Sequence, residues 1–372
     1  MQPDPATLEK VVRTMTADPT ATVSSCRAQP VTSGTSRASV HRIHLTARTA
    51  GGPQALSLFH KTCENVTKDG TALDADDPQW KREALLYQSG LLGHSPTGLR
   101  GPVCYAVERL SPTLYALWLE DAGDDWSEKW PTARYRLAAR HLGRFSGGYL
   151  VAGRVPDDAY LERGQWGSYL EYCASCIDLL RRHRHEPAVA AVYSAATADR
   201  LEALWENRHR ILTQAHAAVP LSLGHGDTSG RNLYAPPDGA DSTIAIDWYY
   251  AGLCPLGEDP ARLLGSSLHW FFRGRMDQAP ALAADICAGY LDGLRDAGWE
   301  GDAQAVRRVF YAAAATIYGL SYVGFVGQIV RDEAEAYGRR AYGCSGAAVT
   351  RHRREMGIFF SGLADHFSCW VD

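Results

Sequence analysis

Lysine is scarce in this chain of 372 residues. Arginine supplies most of the 38 basic residues, and lysine occurs only at Lys10, Lys61, Lys68, Lys81 and Lys129, so a lysine inside a strand is conspicuous. An excess of positive charge is lacking as well. The formal net charge is −4, and proteins that neutralise nucleic-acid phosphates normally carry a basic field, which excludes a general nucleic-acid binder. The stretch from Met1 to Thr20 has no apolar core. Asp4 and Pro5 read there as the cap and first residue of a short amphipathic helix, so no signal sequence is read and a cytoplasmic location is expected. Nine scattered cysteines form no small-domain framework and fit reduced thiols. Cys173 and Cys176 make one CxxC in a helical-looking stretch, with no second CxxC or His pair near it to complete a metal or redox site. Internal repeats and low-complexity linkers are absent too.

One long uncharged run is present, Val309 to Val330, long enough to span a bilayer. Tyr311, Thr316, Tyr318, Ser321, Tyr322, Gln328 and three glycines dilute it, and its charged flanks show no positive-side asymmetry. It reads as a buried helix, and no membrane partner is expected. With 45% hydrophobic residues the chain has ample material for a core, and its length suggests about two domains.

The chemistry is concentrated between Leu223 and Leu264. Val219 to Leu223 reads as a short strand or buried turn, and His225, Gly226, Asp227, Ser229, Gly230 and Asn232 as a polar loop after it. A Pro-Pro-Asp-Gly turn signal at Pro236 to Gly239 precedes the β-prone run Thr243 to Ile246, which places Asp247 at the end of a strand. Two carboxylates and an amide held on loops suit Mg²⁺, which prefers hard oxygen ligands and shares its sphere with substrate phosphates. Phosphoryl transfer is the chemistry such a set serves.

The spaced pattern HGDxxxxN, followed by IDW, a Gly, a Pro and a further Asp, resembles the aminoglycoside phosphotransferase and choline kinase family, whose catalytic layout is that of protein kinases. The resemblance implies an α/β (α+β) two-lobed kinase-like fold, with a small β-rich N-terminal lobe over about 1–121 and a larger, mainly helical lobe over 122–372. It implies ATP- or GTP-dependent phosphorylation of a hydroxyl on a small molecule. Asp227 would accept or orient the hydroxyl proton, while Asn232 and Asp247 would hold Mg²⁺ against the nucleotide phosphates. Asp259, at the start of a further helix, fits the family's fourth acidic position or acts as a plain helix cap.

Upstream, Val31 to Leu45 reads as a turn rich in Ser, Gly and Thr followed by a strand. Ser33, Gly34, Thr35 and Ser36 offer backbone N–H groups and hydroxyls suited to covering phosphates. A turn at Gly51 to Pro53 leads into the strand Ala55 to Lys61, whose last residue stands where the family's phosphate-pairing lysine stands. Glu83, on the next helix, matches the glutamate that pairs with it. Strands at Val103 to Glu108 and Leu114 to Leu119 follow, the second running into a hinge where the Glu120 carbonyl and the Ala122 N–H are placed to bond an adenine edge. Helices are read at Gln165 to His183, Pro187 to Ala215, Ala281 to Ala297, Ala303 to Val330 and Ala347 to Phe367.

The chain departs from the family pattern at Thr228, Ser229, Gly230 and Arg231 in the loop, and at Tyr249 after the Asp-Trp pair. Arg231 either adds a positive charge beside the transferring phosphoryl group or points to water. The substrate therefore stays open among an aminoglycoside or other antibiotic, a nucleoside, a sugar and an amino alcohol, with an antibiotic of aminoglycoside or nucleoside type as the leading expectation. Trp270, Phe271 and Phe272 are candidates to stack on a substrate ring, and Asp157, Asp158, Glu162 and Glu258 to meet a cation. A monomer or homodimer is expected. A nucleotide-binding module without catalysis is the alternative from another class. A protein kinase fits less well, because Gly252 to Asp259 follows Asp247 too closely for a long activation segment.

Overall fold

The computed structural model describes residues 4–31, 39–66, 71, 77–92, 98–124, 130–270 and 276–371. Helix α1 (Pro5–Thr16) starts where the sequence places it, with Pro5 in its first turn and the Asp4 carboxylate accepting the Thr7 N–H at 2.9 Å. Strands β1 (Thr22–Pro30), β2 (Val40–Thr49) and β3 (Gly52–Glu64) follow, then helix α2 (Arg82–Ser89) and strands β4 (Leu99–Arg100), β5 (Cys104–Ser111) and β6 (Leu114–Glu120). Five of these strands form an antiparallel sheet in the order β1-β2-β3-β6-β5. As expected from the turn between them, β1 and β2 pair as a hairpin, with Pro30 opposite His41. The hairpin tip, with Ser33, Gly34, Thr35 and Ser36, lies outside the described residues.

Alternation along the strands decides which side chain faces which helix. Ile43, Leu45, Leu58 and Trp118 turn to one face and pack on Leu8, Val11 and Val12 of α1. Cys63, Leu117 and Leu119 turn to the other and pack on Ala84 of α2. Lys61 has the parity of Cys63, so the sheet's own period directs it toward α2.

From residue 130 onward the chain is mainly helical, with α3 (Thr132–Val151), β7 (Glu162–Arg163), α4 (Gln165–His183), α5 (Pro187–Ala190), α6 (Ala195–Glu206) and α7 (Arg208–Ala218). Four short strands come next: β8 (Leu221–Gly224), β9 (Leu233–Tyr234), β10 (Thr243–Ala245) and β11 (Gly252–Pro255). Helices α8 (Glu258–Trp270), α9 (Ala279–Asp296), α10 (Ala303–Ala313), α11 (Val326–Val330), α12 (Ala334–Tyr342) and α13 (Gly346–Gly362) complete the described chain. The short strands form two three-stranded sheets, β4-β10-β9 and β7-β11-β8, which frame the loop 225–232.

Three helices read as continuous are broken. The span Pro187 to Ala215 divides into α5, α6 and α7, because the Ser194 hydroxyl caps the Thr197 N–H at 3.3 Å and Asn207 ends α6 with its side chain on the Ala203 carbonyl. The span Ala303 to Val330 passes through π-helical Ala314–Gly319 and 3₁₀ Tyr322–Phe325. There Thr316 turns its hydroxyl to the Ala312 carbonyl and accepts the Trp166 indole N–H at 2.9 Å. Of the most apolar window in that span, 78% is buried inside the fold. Helix α13 stops at Gly362 and continues as 3₁₀ Leu363–Trp370, and α12 was not anticipated. Cys173 and Cys176 point into the core from α4, where burial pushes the Cys173 thiol up to about 12.

Helices α3 and α9 form the spine beneath the site. A Cβ added to Gly143 would lie 2.1 Å from the Tyr290 carbonyl oxygen, and one added to Gly293 would lie 2.0 Å from that of Arg140, so the two backbones touch. Arg140 and Arg144 clasp Asp296 at 2.5 and 2.7 Å. The Ser146 carbonyl then accepts the Ser222 hydroxyl at 2.7 Å and fixes β8, the strand that delivers the loop 225–232. Gly293→Val is expected to force the helices apart and cost about 3 kcal/mol, read as a lowered urea midpoint; an unchanged midpoint would show that the contact yields.

Candidate active site

Lys61 is the cation at the centre. Its Nζ lies 2.5 Å from Glu83 Oε2 on α2 and 2.6 Å from Asp247 Oδ1, so β3, α2 and the end of β10 meet on one ammonium group. Glu83 accepts the Trp248 N–H as well, at 3.4 Å. Burial works against the charge on Lys61, but Asp247 and Glu83 more than offset it and hold its pKa above the ordinary lysine value. Glu83 is raised, chiefly by its own burial. Asp247 keeps 40% of its side chain open to the cleft, and Lys61 holds its carboxyl below the ordinary range against the opposing effect of burial.

Asp227 and Asn232 are brought together on the loop. Asn232 Nδ2 donates to Asp227 Oδ2 at 3.0 Å and to its carbonyl at 2.9 Å, which leaves the amide oxygen on the other side. Hairpin β9–β10 places Asn232 and Asp247 at its open end, since Ala245 pairs with Leu233 and the Ile246 N–H bonds the Asn232 carbonyl at 2.9 Å. Asp247 takes a left-handed backbone, φ 63°, which turns its carboxylate toward Lys61. An amide oxygen and a cleft-facing carboxylate are hard donors that fit a divalent cation completed by phosphates. Among the described residues no group of three His, Cys, Asp or Glu side chains provides a closed metal site. Burial raises the Asp227 carboxyl and the Asp247 charge adds to it, against His225, Arg262 and Asn232. A carboxyl lifted in this way is suited to receiving a proton.

Asp259 is neither a bystander nor a simple cap. Its two oxygens accept the His225 and Gly226 N–H groups at 2.7 and 2.9 Å, and its carbonyl accepts the Thr228 hydroxyl at 2.5 Å. His225 accepts the Asp227 N–H on Nδ1 at 3.2 Å and donates through Nε2 to the Ile246 carbonyl at 2.9 Å, so it orients the loop and links it to β10. Only glycine fits at 226, where φ is +78° and a Cβ would lie 2.1 Å from the Tyr250 carbonyl oxygen.

Arg82, which sequence reasoning passed over, ties α2 to the segments flanking the loop. Buried beside Glu83, it donates to the Tyr160 carbonyl at 2.5 Å, to the Tyr249 carbonyl, and to Glu162 Oε2 at 2.9 Å. At the hinge, the Glu120 carboxylate is spent on Arg100 at 2.5 Å and on the Val103 N–H at 2.8 Å, and its own N–H bonds the Val103 carbonyl at 2.8 Å, so the Glu120 carbonyl is its one backbone group to offer a base edge; Ala122 is buried just beyond. Asp121, also missed, fixes this turn by accepting Ser57 Oγ–H, Arg42 Nε–H and the Gly123 N–H at 2.6, 2.7 and 3.0 Å. Leu117 pairs with Lys61, so Glu120 lies three residues along, about 10 Å, from the level of the lysine.

The substrate-side expectations fare differently. Phe271, Phe272 and the side chain of Trp270 lie outside the described residues. Three of the four acidic residues offered to a cation already have one inside the protein: Asp157 pairs with Arg163, Glu162 with Arg82 at 2.9 Å, and Glu258 with Arg262 at 2.6 Å. Asp158 is exposed. Arg231 is exposed on the loop and near enough to His269 to help lower its pKa, behind burial, Arg353 and His352.

A sheet capped by a glutamate-bearing helix, a hinge and a pinned Asp-Asn loop above a helical body define the kinase-like fold. The sequence model of the phosphotransferase enzyme family matches residues 177–303, about a third of the chain, including the loop, Asp247 and Asp259. No curated protein matches the sequence. Among solved structures, an aminoglycoside phosphotransferase from Alicyclobacillus acidocaldarius is similar at TM-score 0.52 and 13% identity, over 92% of each chain. Choline kinase from Cryptosporidium parvum is similar at 0.52 and 11%, over 93% of each. Amicoumacin kinase hAmiN, in complex with AMP-PNP, Ca²⁺ and Ami, is similar at 0.50 and 14%, over 89% of this chain and 87% of that one. At these identities the structures establish the fold. With the family match they support a small-molecule kinase, a phosphotransferase with a hydroxyl acceptor.

Asp259→Ala strands two buried N–H groups and is expected to cost about 3 kcal/mol of stability. In the folded fraction kcat should fall at least about tenfold, with nucleotide KM little changed. An unchanged kcat would show that the loop holds its shape without this carboxylate.

Proposed function

We propose that the protein moves the γ-phosphate of ATP or GTP to a hydroxyl of a small molecule, with Mg²⁺, and that the acceptor is an antibiotic of aminoglycoside or nucleoside type. The observation that carries this reading is the joining of Lys61, Glu83 and Asp247 on one side of the cleft with a half-buried Asp227–Asn232 pair on the other. When bound between Asn232 and Asp247, Mg²⁺ would neutralise charge on the phosphate oxygens. Lys61, oriented by Glu83, is the cation available to the phosphates nearer the base. Asp227 holds the acceptor hydroxyl in line and receives its proton, while the Asn232 amide keeps the carboxylate from turning away. The transition state of such a transfer is loose, so the work of these side chains is positioning and charge neutralisation. Fold likeness to antibiotic-phosphorylating enzymes supports the acceptor class, and likeness to a choline kinase supports small alcohols in general.

Asp227→Asn keeps the Asn232 contact but cannot take a proton; turnover is expected to fall on the order of 10²-fold to 10⁴-fold, with nucleotide affinity nearly constant. Mass spectrometry of a hydroxyl-compound panel with Mg²⁺ and either nucleotide checks it, and phosphorylation by the variant at the wild-type rate would remove Asp227 as the base. Asp247→Ala is expected to abolish Mg²⁺-dependent nucleotide binding in calorimetry while the chain stays folded. Binding that still responds to Mg²⁺ would exclude Asp247 as a ligand.

A further inference from the structure

Next to Asp227 the acceptor side is walled by aromatic rings with arginines behind them. The Tyr169 ring, 37% exposed, faces the guanidinium of Arg262 at 5.1 Å. The Tyr318 hydroxyl donates to the Arg262 carbonyl at 3.1 Å, and its ring lies 5.5 Å from that of Tyr322. His269 stacks on Tyr322 with centroids 4.4 Å apart, and Tyr342 stands edge-on to His269 at 5.8 Å. Gln165, one turn before Tyr169 on α4, has its Oε1 2.9 Å from where a Cβ on Gly226 would stand, and Arg262 lies one turn after Asp259, which holds the Gly226 N–H, so the row starts beside the loop that carries Asp227. From there it runs to a cavity of about 370 Å³ whose lining includes Tyr342, His352, Arg351 and Glu355, the last two of opposite charge.

The charges behind this wall do not balance. Arg262 has Glu258, but Arg353 has no carboxylate within ion-pair distance among the described residues. It is 3% exposed, under the Tyr322 ring at 5.0 Å, and donates to His269 Nδ1 at 2.7 Å and to the Tyr337 and Tyr342 hydroxyls at 2.9 and 2.5 Å. Its Nε is buried without a partner. A buried cation without a counter-charge is costly and repels a second cation strongly at low dielectric. One face of Tyr169 and one face of Tyr322 are already turned to guanidinium groups, which weakens the pull of these rings on an ammonium group. The carboxylates offered to a cationic substrate at Glu162 and Glu258 are neutralised in the same way.

We infer that the acceptor taken by this site is a flat, ring-bearing alcohol with no positive charge, a nucleoside-like heterocycle, and that aminoglycosides and quaternary amino alcohols are turned away. The inference rests on the phosphotransferase reading and narrows it. The exposed Tyr169 offers its outer face to the ring, and the uncompensated Arg353 sets the field that excludes cations.

The test uses the full-length protein with Mg²⁺, γ-labelled ATP and four acceptors, adenosine, uridine, choline and kanamycin. Label is expected on a nucleoside, with kcat/KM at least about tenfold above either cation. Tyr169→Ala, at an exposed position, should raise the nucleoside KM about tenfold and leave the ATP KM in place. Arg353→Gln should raise the kcat/KM for choline. Preferential labelling of choline or kanamycin overturns the inference, as does a Tyr169→Ala variant whose nucleoside KM is unchanged. Failure to label any of the four while ATP is still hydrolysed overturns it too. Slow Asp247-dependent ATP hydrolysis is followed separately: a wild-type protein that neither hydrolyses ATP nor labels any acceptor removes the phosphotransferase reading itself, whereas labelled choline removes only the acceptor class.

Discussion

A single ammonium group joins the N-terminal sheet to the catalytic elements. Lys61 reaches Glu83 and Asp247 at 2.5 and 2.6 Å from the middle of a sheet, and those carboxylates come from residues 22 and 186 positions later. Such a buried cluster is weak evidence for stability, because desolvation takes back much of the attraction, but breaking it leaves an uncompensated charge. Its value is positional. Glu83 can face Lys61 only while α2 is docked, and Arg82 docks α2 by reaching the carbonyls of Tyr160 and Tyr249. Two carboxylates against one ammonium leave the cleft short of positive charge, a deficit that a divalent cation beside Asp247 would make up.

The other half of the site is held from below by backbone groups. Asp259 spends its carboxylate on two N–H groups of the loop, His225 joins the loop to β10, and Trp248 packs on the His225 ring at 4.5 Å. Asp227 is thus aimed by residues that never touch a substrate. The close packing of α3 on α9 carries the strand that feeds this loop, so precision at the carboxylate depends on glycines far from it.

Much of this was legible in the sequence. Asp227, Asn232 and Asp247 were readable because their spacing is local and turn and strand signals place them. Lys61 was readable because lysine is rare, because it ends a strand, and because the family resemblance puts a phosphate-pairing lysine there. Helix α4 and the capped start of α1 were readable from periodicity and capping chemistry. The misses share one cause. Arg82–Glu162, Asp259–His225 and Arg42–Asp121 join positions 34 to 80 residues apart, and nothing in the local pattern of either partner reports the other. The run Val309 to Val330 read correctly as buried. Its tyrosines looked like dilution of an apolar helix, yet Tyr318 and Tyr322 use their hydroxyls to bond the Arg262 and Gly265 carbonyls of α8.

The same scaffold is found in a choline kinase and in antibiotic kinases, so acceptor choice is not a property of the fold. On the acceptor class inferred above, it is decided by which charges beside the base have already found partners. Here Glu162 and Glu258 are paired with arginines before any substrate arrives, and Arg353 adds a positive charge that no carboxylate among the described residues cancels. An ammonium entering this site would lose its hydration shell and meet guanidinium groups on the far side of each ring; a neutral heterocycle would lose little hydration and gain the exposed face of Tyr169. The arginine-rich composition, noticed first as a shortage of lysine, thereby becomes a statement about substrate. Planar guanidinium groups can be buried against tyrosine faces where a compact, strongly hydrated ammonium cannot, and that difference gives the acceptor wall its charge.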